Sequence, residues 1–273
     1  VTWTNLLYCV VGGTLGTLVG VLPGMGPVAT VAMLLPITYA LDPSTALIML
    51  AGIYYGAQYG GSTTAILVNI PGEASAVVTC LDGHRLALAG RAGAALGIAA
   101  IGSFIAGCFA TVVIAAFADP LTQVAFQFGP REYFSLMVLG LVGAVVLASG
   151  SLLKAVGMIL IGILLGCVGM DVNSGALRYV FGIDELMDGF DFVALSMGGY
   201  GFAEIIRNLD VLGDREAKPV PVGRVLPSKN DLKISAGPIT RGTLNGSFLG
   251  ILPGGGALLA SFATCTLEKK HAG

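Results

Sequence analysis

Three Pro-Gly pairs close apolar runs in this sequence: Leu22-Pro23-Gly24, Ile70-Pro71-Gly72 and Leu252-Pro253-Gly254. Proline withdraws a backbone donor and clashes with the preceding turn, and glycine takes the φ values a chain needs to leave a helix. Each pair therefore marks a helix break. After the first, Pro27 suits the first position of a new helix running from Val28 to about Leu35. That arrangement turns the amides of Gly24, Met25 and Gly26 outward at a helix start, where unpaired N–H groups and the helix dipole favour negative charge. The chemistry expected is reversible anion binding. Gly254, Gly255 and Gly256 offer the same donors at the third break.

Ahead of Pro71 and Gly72 lies the densest neutral polar cluster inside an apolar stretch, Gly60-Gly61-Ser62-Thr63-Thr64 with Asn69. Hydroxyls and an amide bind carboxylate oxygens without the cost of burying a charge. Ser and Thr also bond back to their own helix, and both readings of Ser62, Thr63 and Thr64 stay open. Glu73 either helps hold a cation or begins a loop, and the loop is preferred.

Other chemistries fail on spacing. Gly24-Met-Gly26-Pro-Val-Ala29 fits a dinucleotide-binding pattern formally, but that motif needs a preceding strand and no proline break. His84 and His271 are the two histidines, both near loop or chain ends, so neither a catalytic triad nor a zinc site assembles. The five cysteines, Cys9, Cys80, Cys108, Cys167 and Cys265, are scattered, form no CxxC pair, and read as small packing residues. No enzyme and no metal centre is expected.

The elements that position the breaks follow from composition. The 273 residues are 55% hydrophobic and 11% charged, against roughly 25% charged in soluble domains. So few ionised side chains cannot cover a globule, and much of the exterior must face lipid. Fourteen basic against sixteen acidic residues leave no electrostatic footprint for nucleic acid. Charge is missing from Val1 to Leu41, between Asp42 and Glu73, between Arg91 and Asp119, between Glu132 and Lys154, and between Arg241 and Glu268. A membrane helix needs about 20 apolar residues, so most of these gaps hold at least one crossing. The fold class expected is an all-α polytopic membrane protein with discontinuous helices. A β-barrel would show apolar-polar alternation, which is missing here. The first run lacks a basic start and is too glycine-rich for a signal peptide, and the chain, opening on Val1, reads as lacking its true start.

Apolar segments fall near 5–41, 44–70, 93–118, 133–149, 152–170, 190–206 and 242–267. Between them lie a basic loop at 82–91, an acidic loop at 171–191 and a polar loop at 207–241. Lys and Arg favour cytoplasmic loops, which places 207–241 inside and, counting back one crossing per segment, 82–91 inside as well.

An internal repeat ties the first break to the third. Residues 12–26 and 242–256 align without gaps at an offset of 230, matching Gly12, Gly16, Gly20, Leu22, Pro23, Gly24 and Gly26 with Gly242, Gly246, Gly250, Leu252, Pro253, Gly254 and Gly256. Glycines four apart form one helix stripe that lets backbones approach closely. Residues 1–241 are then a first transmembrane repeat with its polar loop at 207–241. Residues 242–273 start a second copy that stops about thirty residues in. Discontinuous helices repeated in two halves are how secondary transporters build a substrate site. The breaks at Pro23-Gly24 and Pro253-Gly254 are expected to meet near the bilayer midplane, with Ser62, Thr63, Thr64, Asn69 and Gly72 completing the shell.

The stretches Gly20-Val-Leu-Pro-Gly-Met-Gly-Pro27, Asp42-Pro43 with Ala51-Gly-Ile-Tyr-Tyr-Gly-Ala-Gln-Tyr-Gly-Gly-Ser62, Asn69-Ile-Pro-Gly72 with Asp82-Gly83, and Gly250-Ile-Leu-Pro-Gly-Gly-Gly256 span essentially the whole chain. Together they resemble the large membrane subunit of the tripartite tricarboxylate transporter family. The resemblance implies a multi-pass permease of the bacterial inner membrane for small carboxylates such as citrate, about twice this length. It further implies a small membrane subunit and a periplasmic solute-binding protein as partners, and a sodium or proton gradient as the driving force in place of a cofactor. An ion channel or other membrane pore is the alternative. It would need a continuous polar path or a charge ring, and the charge-free runs speak against one.

Overall fold

A computed structural model of the chain describes residues 2–127, 129–147, 151–171, 174–191, 194–195, 197–203, 205–206, 222–250 and 256–272. Among them nearly all secondary structure is helical. The exception is one short antiparallel hairpin, β1 (Gly169–Met170) with β2 (Leu177–Arg178), inside the acidic loop, where Arg178 pairs with Asp171 at 2.9 Å. The chain divides into two compact units, Val1–Ile105 with Ser196–Gly237, and Ala106–Leu195 with Pro238–Gly273.

The first unit is built on two glycine-notched helices. α1 (Trp3–Gly20) starts at Thr2, whose hydroxyl accepts the Asn5 amide. α3 (Pro43–Val68) starts behind Asp42 with proline in its first turn. The two lie in direct backbone contact. A Cβ placed on Gly12, Gly16 or Gly20 would sit 2.3, 2.2 or 2.4 Å from backbone atoms of Met49, Ile53 or Ala57. In return, Gly52, Gly56 and Gly60 of α3 would bring a Cβ to 2.6, 2.2 and 2.6 Å from the carbonyls of Cys9, Gly13 and Thr17. Two interleaved stripes of period four thus make the seam. Residue numbers rise together along it, so α1 and α3 run parallel.

Parallel neighbours require the chain to return between them, and the first break makes that possible. The α2 helix (Gly26–Leu34) runs back from the level of Gly61 and Gly72, where Gly26 sits, to the level of Met49 and Ile53, where Leu34 joins a buried apolar cluster. Nine residues at 1.5 Å each give about 13 Å, well short of the roughly 30 Å of a hydrocarbon core. A 3-10 turn, Leu35–Thr38, completes the return. Helix α1, the break and α2 therefore form a helical hairpin braced against α3. The expected new helix after Pro27 is present, opening at Gly26 rather than Val28.

Beyond α3 the chain turns through α4 (Val77–Leu86), a π-turn at Ala87–Arg91, and α5 (Ala92–Phe126), which is kinked at Phe117. The basic stretch 82–91, read from its charges as loop, is thus helical. Ala74–Phe117 is the one helical run among the described residues long and apolar enough to cross a membrane.

In the second unit follow α6 (Pro130–Leu147), α7 (Leu152–Gly166), α8 (Lys229–Leu249), which begins in the first unit, and α9 (Gly256–Ala272). α7 is strongly apolar yet buries none of its side chains, with Leu153 82% and Leu164 65% exposed. A face of this kind marks contact with another protein surface or with lipid.

The α8 helix starts at Lys229, inside the stretch read as a polar loop to 241. A reciprocal cap sets that start: Ser228 N–H donates to the Asp231 carboxylate at 3.0 Å, and Asp231 N–H donates to Ser228 Oγ at 3.2 Å. Arg91 pairs with the same carboxylate, so the basic stretch and the start of α8 share one end of the first unit.

Candidate functional site

Residues 21–25 are the first break. α1 ends at Gly20, Gly24 is buried with φ +82°, and Gly26 opens α2 with φ +58°. Side chains with a Cβ rarely adopt those angles, which is why glycine stands at both positions. The Met25 N–H donates to Leu22 O at 3.3 Å and closes the turn. A second tie comes from α3, where the buried Thr64 hydroxyl is shared between Gly60 O at 3.1 Å and Val21 O at 2.8 Å. It ties α3 to the carbonyl of the residue just past the end of α1.

The second break is folded against the first. α3 stops at Asn69, in the left-handed region (φ 61°, ψ 25°) that asparagine tolerates better than most residues. Pro71 is fully buried, and the chain doubles back so that Gly72 rests on α3. A Cβ on Gly72 would lie 2.2 Å from the Gly61 Cα. A Cβ on Gly26 would lie 3.7 Å from the Glu73 Cβ and 4.0 Å from Gly72 O. Two of the three Pro-Gly sites therefore converge on one short length of α3.

The polar side chains foreseen for this place divide in their use. Ser62 donates to Gln58 O at 3.2 Å and Thr63 to Tyr59 O at 2.9 Å, the back-bonding that remained open for them. Glu73, read as the start of a loop, lies in the turn after α3 and is partly buried between the breaks. Its Oε1 accepts from Gln58 Nε2 and from Ser75 Oγ. Gln58 and Ser75 were not foreseen. Gln58 is the one glutamine in the charge-free run between Asp42 and Glu73, one turn before Ser62, and that was the available signal.

At the third break, Pro253, Gly254 and Gly255 lie outside the described residues. Around them, α8 ends at Leu249, Gly250 N–H donates to Gly246 O at 2.8 Å, and the buried Gly256 opens α9. A Cβ on Gly256 would meet Gly250 O at 2.7 Å. α1 ends at Gly20 and α2 opens at Gly26, while α8 ends at Leu249 and α9 opens at Gly256.

Among the described residues, no group of three His, Cys, Asp or Glu side chains is placed to hold a metal ion. The arrangement offers interrupted backbone, neutral hydrogen-bonding groups and one carboxylate, which is equipment for binding and release.

Comparison with known proteins gives a family model, described as the tripartite tricarboxylate transporter TctA family, that matches residues 6–273. A curated relative from Agrobacterium vitis, named as an uncharacterized 52.8 kDa protein in the TAR-I ttuC' 3' region, is 57% identical over 268 residues. The match takes in 98% of this chain and 53% of that protein, so the chain spans about half the length of its relative. No solved structure matches it.

Proposed function

The chain belongs to the tripartite tricarboxylate transporter TctA family, and on that footing we propose that it forms part of the large membrane subunit of a secondary transporter for small di- and tricarboxylates. It acts in the bacterial inner membrane as a multi-pass protein, with a small membrane subunit and a periplasmic solute-binding protein. Cation-coupled alternating access moves the substrate, and the protein catalyses no covalent reaction.

The observation that carries this reading is the packing of the first Pro-Gly break against the second, at Gly26, Gly61, Gly72 and Glu73. Irregular backbone at membrane depth persists only inside protein or beside a water-filled cavity. Here α3 and the 69–73 turn supply the protein. Substrate carboxylates take the amides near Gly24, Met25 and Gly26. Ser62, Thr63 and Asn69 complete the shell, the hydroxyls exchanging their own-helix carbonyls for substrate. The matched boundaries of α1–α2 and α8–α9 support a duplication, in which Gly254, Gly255 and Gly256 supply an equivalent set of donors. The outward apolar face of α7 and the Ala74–Phe117 run support the lipid setting.

Gly24→Val places a β-branched residue at φ +82°, and the strain falls on the donors themselves. In the complete transporter, Gly24→Val and Gly254→Val are expected to lower uptake of labelled citrate by about tenfold or more, while membrane insertion, read by fractionation, is kept. Normal uptake by both variants would end the proposal.

A further inference from the structure

Glu73 is the one charged residue between Asp42 and Asp82, and the fold puts it where the two breaks meet. Gln58 Nε2 and Ser75 Oγ both donate to its Oε1 and lie 3.2 Å from one another. Oε2 is then the oxygen placed to take another ligand. Among the described residues, no Lys, Arg or His forms an ion pair with Glu73. Tyr54 on α3 is a titratable side chain near enough to feel its charge. Among the described residues this carboxylate, partly withdrawn from water, is thus met by neutral donors and by no counter-charge of the kind such a group ordinarily has.

Its position makes that lack consequential. Gly26, one of the three residues whose amides are assigned to the substrate, has its Cβ position 3.7 Å from the Glu73 Cβ. An anion bound there would lie close to a like charge in surroundings poorer in water than bulk, where repulsion is strong. The site is self-inhibiting while Glu73 is ionised and bare. A monovalent cation on the carboxylate removes the obstacle, and by reciprocity a bound anion draws the cation in.

We propose that Glu73 links cation uptake to anion uptake: a proton or sodium ion taken by its carboxylate neutralises the junction of the two breaks and opens the neighbouring amides to a carboxylate substrate. Glu73 is the cation ligand, and Gln58 and Ser75 are positioning residues that fix its Oε1. This rests on the reading of the first break as an anion site.

The test uses the complete transporter with its partner subunits in sealed vesicles, and labelled citrate as the probe. Accumulation is driven in separate arms by a proton gradient and by a sodium gradient, and the arm to which the wild type responds identifies the cation. Glu73→Gln, neutral and similar in shape, is expected to lose about tenfold or more of gradient-driven accumulation, while exchange of internal for external citrate continues. Accumulation like the wild type, or loss of exchange along with accumulation, overturns the proposal. A second measurement needs no variant. In the wild type, a hydrophobic carbodiimide is expected to label Glu73, read by mass spectrometry, with labelling slowed by raised pH or by added sodium. Absence of label at Glu73, or indifference to both conditions, overturns it as well. If the wild type moves no citrate at all, the transport reading fails, and the labelling still reports on Glu73 alone.

Discussion

At Asp231 a single carboxylate accepts from the Ser228 backbone, caps α8 in return through Ser228, and pairs with Arg91 from the basic stretch. Hydrogen bonds from Ser228, first, and then the Arg91 guanidinium hold this carboxyl below its ordinary range. A group so depressed stabilises the fold above its unfolded pKa, and the contribution is lost as pH falls through the folded value. Amide-exchange protection over 229–233 is therefore expected to drop several-fold on acidification through and below the aspartate range. Asp231→Asn should show the reduced protection already at neutral pH. Because the pair is exposed to water, salt should weaken the effect too. Ser228 followed three residues later by an acid is a sequence sign of this cap, and reading 207–241 as a loop from its charges left it unused. The pairing of Glu73 with Gln58, fifteen residues away, was not legible, because it depends on the chain doubling back after Asn69.

Among the elements, the α1–α3 seam sets the geometry of the breaks. Half of it was readable: Gly12, Gly16 and Gly20 stand out as a stripe. Its complement, Gly52, Gly56 and Gly60, has the same spacing, but spacing alone does not say which stripe meets which. Backbone contact fixes that, and it leaves no room for a methyl group. Gly56→Ala would place its Cβ 2.2 Å from Gly13 O, and such overpacking costs about 1–3 kcal/mol. Gly157→Ala in α7 meets nothing within 4 Å and gains helix propensity of about 1 kcal/mol. Thermal unfolding in detergent is thus expected to show Gly56→Ala melting below the parent protein and Gly157→Ala at or above it. Equal shifts would mean that the seam is not as tight as described. The break after Gly20 was foreseen from Pro23-Gly24 because proline and glycine act locally. That α2 runs back beside α3 was not, since the direction of a short helix is set by the apolar cluster that takes Leu34.

On the scale of the whole molecule, the sparse charge of the sequence already pointed to lipid, and α7 carries its apolar side chains outward, as at Leu153 and Leu164. Composition could show this because it is a property of totals. It could not show that two breaks close on one another with a carboxylate between them, which is a property of one path through space. What the transport reading requires is that this junction be wet and that a carboxylate occupy it. Met25 lies at the turn itself, partly buried, with an ordinary helical φ of −62°, so cysteine is accommodated there. The five native cysteines are first replaced by alanine or serine, and Met25→Cys is introduced into the complete transporter in membranes. The rate of modification by a charged, water-soluble thiol reagent is then measured with and without citrate. The expected result is modification at a rate typical of water-exposed thiols, slowed severalfold by citrate and not by an uncharged sugar. A thiol at this position that stays unreactive, or reacts at the same rate whether or not citrate is present, would contradict the placing of a carboxylate site at the interrupted helix.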